Sequence, residues 1–351
     1  MRFIDTADWH LTATNRLSDF SNSINQIVSF VKKNEVDFIL HAGDVFTKKT
    51  PDNAAREVFY KFVKDVSIKV IAIPGNHDSD IHHSLAPLKS LGLDNLIILD
   101  TLGDYTFTLE GLPTVSILSI PDLLPRLSTE SIEQAIDTFL DVNKSNYKIM
   151  LGHFSVIGAQ TPNYVVTAQS KEFVLAREIV DRKEFDYIAL GHIHLRQDIG
   201  NIHYSGGIER VTFGEKDYEP GFYFVETVEK DKRNLTIAKF VPLQVRPMVD
   251  LVLDSETFIE QVKALPDNAV VRMFYSNDRQ VIALDDIKKL LEAKGCLLKE
   301  PVNFIRKSVE KVVEVSSSTN TWEDLIREEI EGSKDLDKTL LHSLFNEALR
   351  S

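Results

Sequence analysis

Five short segments of this chain end in residue types that bind divalent metals. They are Asp8-Trp9-His10, Gly43-Asp44, Gly75-Asn76-His77-Asp78, Gly152-His153 and Gly191-His192-Ile193-His194. Each follows an apolar run, at residues 3–7, 38–42, 70–74, 149–151 and 187–190. An apolar run broken by glycine or aspartate reads as a buried strand feeding a turn. In open α/β sheets, ligands bind beyond the carboxyl ends of the strands. Five strand ends of one chemistry therefore predict one site, assembled from distant sequence.

The candidate ligands are Asp8, His10, Asp44, Asn76, His153, His192 and His194. Two carboxylates, one amide oxygen and four imidazoles form a mixed nitrogen and oxygen set. It suits Mn²⁺, Fe²⁺ or Zn²⁺ better than Ca²⁺ or Mg²⁺ alone. Seven ligands exceed one tetrahedral zinc and fit two ions that share a bridging carboxylate. Two ions about 3.5–4 Å apart clamp the attacking and leaving oxygens of an in-line phosphoryl displacement. His77 directly follows Asn76 and is placed to act as general acid, with Asp78 to orient it. Singly, these motifs also suit turns and helix caps; five in order do not. His41 reads as a supporting group within its strand, and His82, His83, His203 and His342 as surface or packing histidines. Ser155 lacks the strand–turn–helix setting of a nucleophilic serine, which disfavours serine hydrolysis.

The elements that must position these residues follow from periodicity. Apolar spacing predicts helices over 18–34, from Pro51 to 66, over 82–91, over 129–142 and over 171–181. Strands are expected at 36–42, 68–73, 96–99, 105–109, 115–119, 201–205, 221–228 and 235–241, with a loop near the site over 154–171. The opening β-α-β-α-β order argues for parallel strands with crossover helices. The expected fold class is α/β: two mixed sheets with flanking helices, a four-layer sandwich, over 1–242. Pro242 and Pro247 flank a change of character. Residues 243–315 read as a small α+β domain, with strands at 249–253 and 270–275 and helices at 255–265 and 284–294. A polar linker at 316–321 leads into two amphipathic helices over 322–351. Trp322, Leu325, Leu340, Leu344 and Phe345 lie on their apolar stripes.

Composition narrows the class. The chain has 351 residues, 43% hydrophobic and 26% charged, as in ordinary globular proteins. One cysteine, Cys296, excludes an internal disulfide and a cysteine-rich zinc site, and points to a reducing compartment. Met1-Arg2-Phe3-Ile4-Asp5 puts an acid where a secretion signal needs apolar residues. No apolar run approaches the ~18 residues of a membrane span. A net charge of −13 is awkward for a nucleic-acid binder, since phosphates attract local positive charge. Bound metal ions or a partner would supply it. The basic clusters Lys48-Lys49, Arg182-Lys183 and Lys230 with Lys232-Arg233 are small.

The ordered motifs resemble the calcineurin-like metallophosphoesterases. More narrowly they resemble the SbcD nucleases, bacterial and phage relatives of the nuclease subunit of the eukaryotic double-strand-break repair complex. Gly43-Asp44-Val45-Phe46 lacks the later aspartate of other phosphoesterases, and Gly75-Asn76-His77-Asp78-Ser79 lacks the continuation of protein phosphatases. Tyr204-Ser205-Gly206-Gly207-Ile208-Glu209-Arg210, then Phe213-Gly214-Glu215, is similar to the segment after the last histidines of SbcD proteins. The resemblance implies a metallophosphoesterase sandwich with a DNA-binding capping domain at 243–315. It implies one ion on Asp8, His10, Asp44 and His194, and another on Asp44, Asn76, His153 and His192. His77 would be the catalytic histidine. Thr47 stands where some members carry a second active-site histidine, which leaves the exonuclease–endonuclease balance open. The implied activity is DNA-end hydrolysis in repair, recombination or replication, with two divalent ions: manganese, or alternatively magnesium or iron. The implied partners are DNA ends, an SbcC-like SMC-type ATPase on the C-terminal helices, and a second copy of the chain through helices at about 51–66 and 81–91. The implied place is the cytoplasm of a bacterial or phage-infected cell. No Gly-x-x-x-x-Gly-Lys-Ser/Thr loop is present, so ATP chemistry would be the partner's. The alternatives are another calcineurin-like phosphodiesterase and a non-catalytic DNA-end scaffold.

Overall fold

A computed structural model describes residues 1–304 apart from 79–84, 86–91, 123–127, 145, 231–232, 254–256 and 276–283. The helix expected over 82–91 (Leu85 apart), the linker over 316–321 and the tail helices over 322–351 lie outside the described residues.

The first half alternates strands and helices as expected: β1 (Arg2–Thr6), α1 (Leu17–Lys33), β2 (Phe38–His41), α2 (Asn53–Val66), β3 (Lys69–Ala72) and β4 (Leu96–Ile98). There follow β5 (Gly103–Phe107), β6 (Val115–Ile120), α3 (Thr129–Val142), β7 (Tyr147–His153), β8 (Ser155–Val156), β9 (Val174–Leu175) and α4 (Arg177–Val180). Next come β10 (Tyr187–Gly191), β11 (Gln197–Ile199), β12 (Ile202–Tyr204), β13 (Gly221–Lys230) and β14 (Arg233–Pro242). The chain continues through β15 (Met248–Leu253), α5 (Phe258–Ala264), β16 (Val270–Tyr275), α6 (Leu284–Ala293) and β17 (Leu297–Phe304).

Two large sheets result, in the orders β14-β13-β1-β2-β3-β4 and β11-β12-β10-β7-β6-β5. β1 to β4 run parallel, as do β6, β7, β10 and β12. All five motif-bearing strands thus have their carboxyl ends on the parallel part of a sheet. Apolar side chains form three layers. Phe3, Phe38, Leu40, Ile117, Ile149 and Tyr187 fill the space between the sheets. The apolar stripes of α1 and α2 cover one outer face, and that of α3 covers the other. Strands buried on both faces read as continuous apolar runs, which is why these are visible in the sequence. A separate three-stranded parallel sheet, β15-β16-β17, packs with α5 and α6 around its own core. Among the described residues no helix is long and apolar enough to cross a membrane.

Two expectations need correction. Pro51 does not start its helix: Asp52 caps it, accepting from the Ala55 N–H at 2.9 Å, so the first helical residue is Asn53. The helix expected over 171–181 shrinks to α4. Val174-Leu175 instead pairs in parallel with Ser155-Val156, so the first half of that stretch is extended. β11 and β17 give no signal in the apolar pattern, being short or interrupted by charge.

A fully buried polar contact helps to link the sheets. Asp5 on β1 is fully buried, and its Oδ2 accepts from the Tyr187 hydroxyl on β10 at 2.8 Å. Its Oδ1 has no hydrogen-bond partner. Burial pushes the Asp5 carboxyl up to about 8. The folded protein then keeps this proton up to about pH 8, whereas the unfolded chain releases it near pH 4. Stability should therefore fall as pH rises from 4 to 8, by on the order of 5 kcal/mol in full. In EDTA, Asp5→Asn should flatten that slope and unfold several degrees above the parent at pH 8. Calorimetry across this pH range checks it; parallel pH profiles for the two proteins would show Asp5 to be ionised throughout.

Candidate metal centre

The loops after β1 and β2 are zipped together by backbone hydrogen bonds. Asp8 N–H donates to Gly43 O, His10 N–H to Asp44 O and Leu11 N–H to Val45 O, all at 2.9–3.0 Å. Asp8, His10, Asp44 and His192 all have positive φ, between 47° and 91°. Non-glycine residues seldom adopt this region, and such strain concentrates at functional sites. Here it turns each side chain back over the strand end. Gly191 permits the closest approach, since a Cβ there would strike the Ala42 carbonyl of the other sheet.

The seven predicted ligands converge. Asp44 lies between two groups, its Oδ2 3.5 Å from both His10 Nε2 and His153 Nε2. On one side, His10 Nε2 faces His194 Nε2 at 2.9 Å, and Asp8 joins them. On the other, Asn76 Oδ1 lies 3.1 Å from His153 Nε2 and 2.9 Å from His192 Nδ1. Asp8 also accepts from the His192 N–H at 3.0 Å.

On three of the four candidate histidine ligands the remaining ring nitrogen is held. The Ala42 carbonyl takes His153 Nδ1 at 2.7 Å. Glu172 takes His192 Nε2 at 2.8 Å, and Glu215 takes His194 Nδ1 at 3.1 Å. Such partners fix the tautomer and point the other nitrogen inward. With Nδ1 of His194 protonated, its Nε2 lone pair faces His10 Nε2; with Nε2 of His192 protonated, its Nδ1 lone pair faces the Asn76 oxygen. Acceptors that face one another at 2.9 Å need a proton or a cation between them. The donor chemistry thus fits divalent ions.

Electrostatics agree. Asp8 and Asp44 are essentially inaccessible to water, at 0% and 2% exposure. Burial raises Asp8 above the usual carboxylate range. Burial also opposes ionisation of Asp44, but His153, then His10 and His77, outweigh it and hold Asp44 well below that range. Burial disfavours the charged form of His153, yet Asp44 beside it pushes the imidazole up to about 10. Burial pushes His10 down to about 3. Protons on imidazoles supply the positive charge that this cluster demands.

His77 lies at the cluster, whereas Asp78 takes a different place from that expected. His77 N–H donates to Asp44 Oδ1 at 2.8 Å, and its ring packs edge-on to His10 with centroids 4.9 Å apart. Its Nδ1 meets the Thr47 carbonyl at 2.9 Å. The orienting group is therefore this backbone carbonyl. Asp78 instead accepts from the Val45 and Phe46 N–H groups at 2.7 and 3.0 Å, bracing the loop that bears Asp44. Burial, then Asp44, pushes its carboxyl up to about 8. His41 lies in its strand against Trp9, fully buried, as expected of a supporting group.

Sequence reasoning misses Glu172 altogether and finds Glu215 only as part of a family-like segment. Glu172 sits in the stretch expected to be a helix start. Its contact with His192 is tertiary, and no spacing signals it.

A family model described as calcineurin-like phosphoesterase matches residues 1–196. The SbcD component of the SbcCD nuclease from Staphylococcus epidermidis is 24% identical over 275 residues, covering 70% of this chain and 71% of its own. The DNA double-strand break repair protein Mre11 of Saccharolobus solfataricus is 25% identical over 301 residues, covering 80% and 74%. The SbcD component of the SbcCD nuclease from Escherichia coli K12 is 25% identical over 255 residues, covering 61% and 62%.

The approach of the two sheets at Gly191 is testable. Gly191→Ala adds a methyl against the Ala42 carbonyl and should cost about 1–3 kcal/mol, the usual range for overpacking. It should also weaken divalent-metal uptake, because Ala42 orients His153. Thermal unfolding and equilibrium dialysis check both; an unchanged melting temperature would mean that the sheets give way freely here.

Proposed function

Because the chain belongs to the calcineurin-like phosphoesterases, we propose that it is a two-metal DNA nuclease of the SbcD type. The observation that carries this reading is Asp44, whose Oδ2 stands equidistant, at 3.5 Å, from His10 and His153. A bridging carboxylate suits that position. One ion would take Asp8, His10, Asp44 and His194; the other would take Asp44, Asn76, His153 and His192. The mixed nitrogen and oxygen set favours manganese, with iron or magnesium as alternatives. When bound, two such ions polarise the phosphoryl group and lower the pKa of water to make a nucleophile near neutral pH.

The chain's own residues would do the rest. Water would give up one proton to solvent, its oxygen would attack phosphorus, and the bond to the leaving oxygen would break. With Nδ1–H anchored on the Thr47 carbonyl, His77 Nε2 hands a proton to that leaving oxygen. Asp44 Oδ1 holds the His77 backbone, so acid and bridging carboxylate move together. Glu172 and Glu215 hold two ligand rings in the productive tautomer.

The division into a nuclease domain at 1–242, a DNA-facing cap at 243–315 and a partner-binding tail at 322–351 belongs to this reading. Arg272 on β16 stacks over Phe213, 4.6 Å from the ring centroid, at the cap's edge toward the segment that leads to Glu215. The partner is an SbcC-like ATPase, and α2 is offered as one helix of a homodimer contact.

The assay is Mn²⁺-dependent cleavage of end-labelled linear duplex DNA beside bis(p-nitrophenyl) phosphate. Turnover of the small diester alone would make the protein another phosphodiesterase of the family; binding of DNA without any turnover would make it an end scaffold. His77→Ala should keep the parent's metal content and lose at least ~10²-fold in cleavage rate, the lower end of what a positioned acid contributes. A fall in metal content would make His77 a ligand, and near-parental turnover would remove it from the chemistry.

A further inference from the structure

A rim of exposed apolar side chains stands beside the candidate metal centre, on residues that the proposed chemistry does not use. It is formed by Ile157, Tyr164, Val165 and Phe173, with Tyr164 49% and Val165 53% exposed. Soluble proteins seldom display such clusters without a use.

This rim is built rather than loose. Residues 158–166 fold back as a short hairpin: Gly158 N–H donates to Val166 O at 2.9 Å and Val166 N–H to Ala159 O at 2.8 Å. Thr161-Pro162-Asn163-Tyr164 closes it, with proline at the favoured second position of the turn. Thr161 N–H and its hydroxyl both donate to Tyr164 O at 2.9 Å, and Thr161 Oγ1 accepts from the Tyr164 N–H at 3.1 Å. Phe173 lies at the entry to β9, its carbonyl accepting from Ser155 N–H at 3.3 Å.

The hydroxyl of Tyr164 donates to Glu172 Oε1 at 3.1 Å, while Glu172 Oε2 holds His192 Nε2 at 2.8 Å. The exposed ring is thus tethered, through a single carboxylate, to a candidate metal ligand. A tethered hydroxyl fixes the orientation of the ring and leaves its face to solvent.

We propose that this rim is a subsite for an unpaired nucleobase next to the phosphate being cut, with the Tyr164 ring as its stacking platform. The proposal rests on the nuclease reading. Paired bases in a duplex are stacked and offer only their edges and backbone. An unstacked base offers a flat apolar face, which is what aromatic side chains receive in single-strand binding proteins. Charge supports the same occupant. The four rim side chains are uncharged, and the Glu172 carboxylate behind the Tyr164 hydroxyl would repel a phosphate, so the rim suits the base and leaves the phosphate to the metal centre. The protein would then favour frayed or single-stranded ends over fully paired ones.

The test compares Mn²⁺-dependent cleavage of two linear duplexes, one fully paired and one with three mismatched terminal pairs, by the parent, Tyr164→Ala and Tyr164→Phe. The parent should have the lower KM on the frayed end. Tyr164→Ala should raise that KM about tenfold, within the range of base–aromatic stacking, and lose the preference. Tyr164→Phe keeps the ring and should keep the preference. A 2-aminopurine in the mismatched end should change fluorescence on binding to the parent and to Tyr164→Phe, but not to Tyr164→Ala. Equal KM values for parent and Tyr164→Ala would overturn the subsite. So would an equal loss in both variants, which would assign the effect to the hydroxyl and not the ring. A parent that hydrolyses bis(p-nitrophenyl) phosphate and cleaves neither duplex would overturn the nuclease reading itself, and the subsite with it.

Discussion

Two carboxylates buried among imidazoles govern this structure. Asp8 and Asp44 sit where the carboxyl ends of the two sheets meet, almost without solvent. Buried charge is tolerated only when paired or bound to metal. The surroundings answer that demand twice, with His10 and His194 on one side and His153 and His192 on the other. Apart from the deeply buried His10, each of these imidazoles has its outward nitrogen held by a carbonyl or a carboxylate. The orientation of these rings is therefore set from outside the cluster.

Holding such a centre requires the two sheets to touch at their carboxyl ends. The apolar layer between them sets the spacing, and glycines at 43, 75 and 191 remove the Cβ atoms that would otherwise collide with Asp44, His153 or the Ala42 carbonyl. Left-handed backbone at Asp8, His10, Asp44 and His192 does the aiming. Strain of this kind persists only where surrounding structure over-determines it. The zipped loops after β1 and β2, and the brace from Asp78, supply that surrounding structure. Asp78 thus serves the site through the loop that bears Asp44, and Thr47 serves it through a carbonyl on His77.

Much of this is legible in the sequence, for definite reasons. Doubly buried strands are unbroken apolar runs, so their ends are marked by the first Gly, Asp or His. Helices α1, α2 and α3 are legible because one face is apolar at helical spacing. What escapes is tertiary. Glu172 gains its role only when a loop folds back on His192. Asp78 sits beside His77 in sequence, yet the turn at Gly75 carries its side chain to the neighbouring loop. Residues 171–176 look helical by composition, but pairing of Val174-Leu175 with Ser155-Val156 overrides local preference.

The central claim is that Asp44 lies between two ions. Electron paramagnetic resonance of the Mn²⁺-loaded protein, with metal content measured on the same sample, tests it most directly. This account predicts two Mn²⁺ per chain and the spectrum of an exchange-coupled pair, with the coupling lost in Asp44→Asn. One Mn²⁺ per chain with an isolated six-line signal, or an undiminished coupled spectrum in Asp44→Asn, would contradict it.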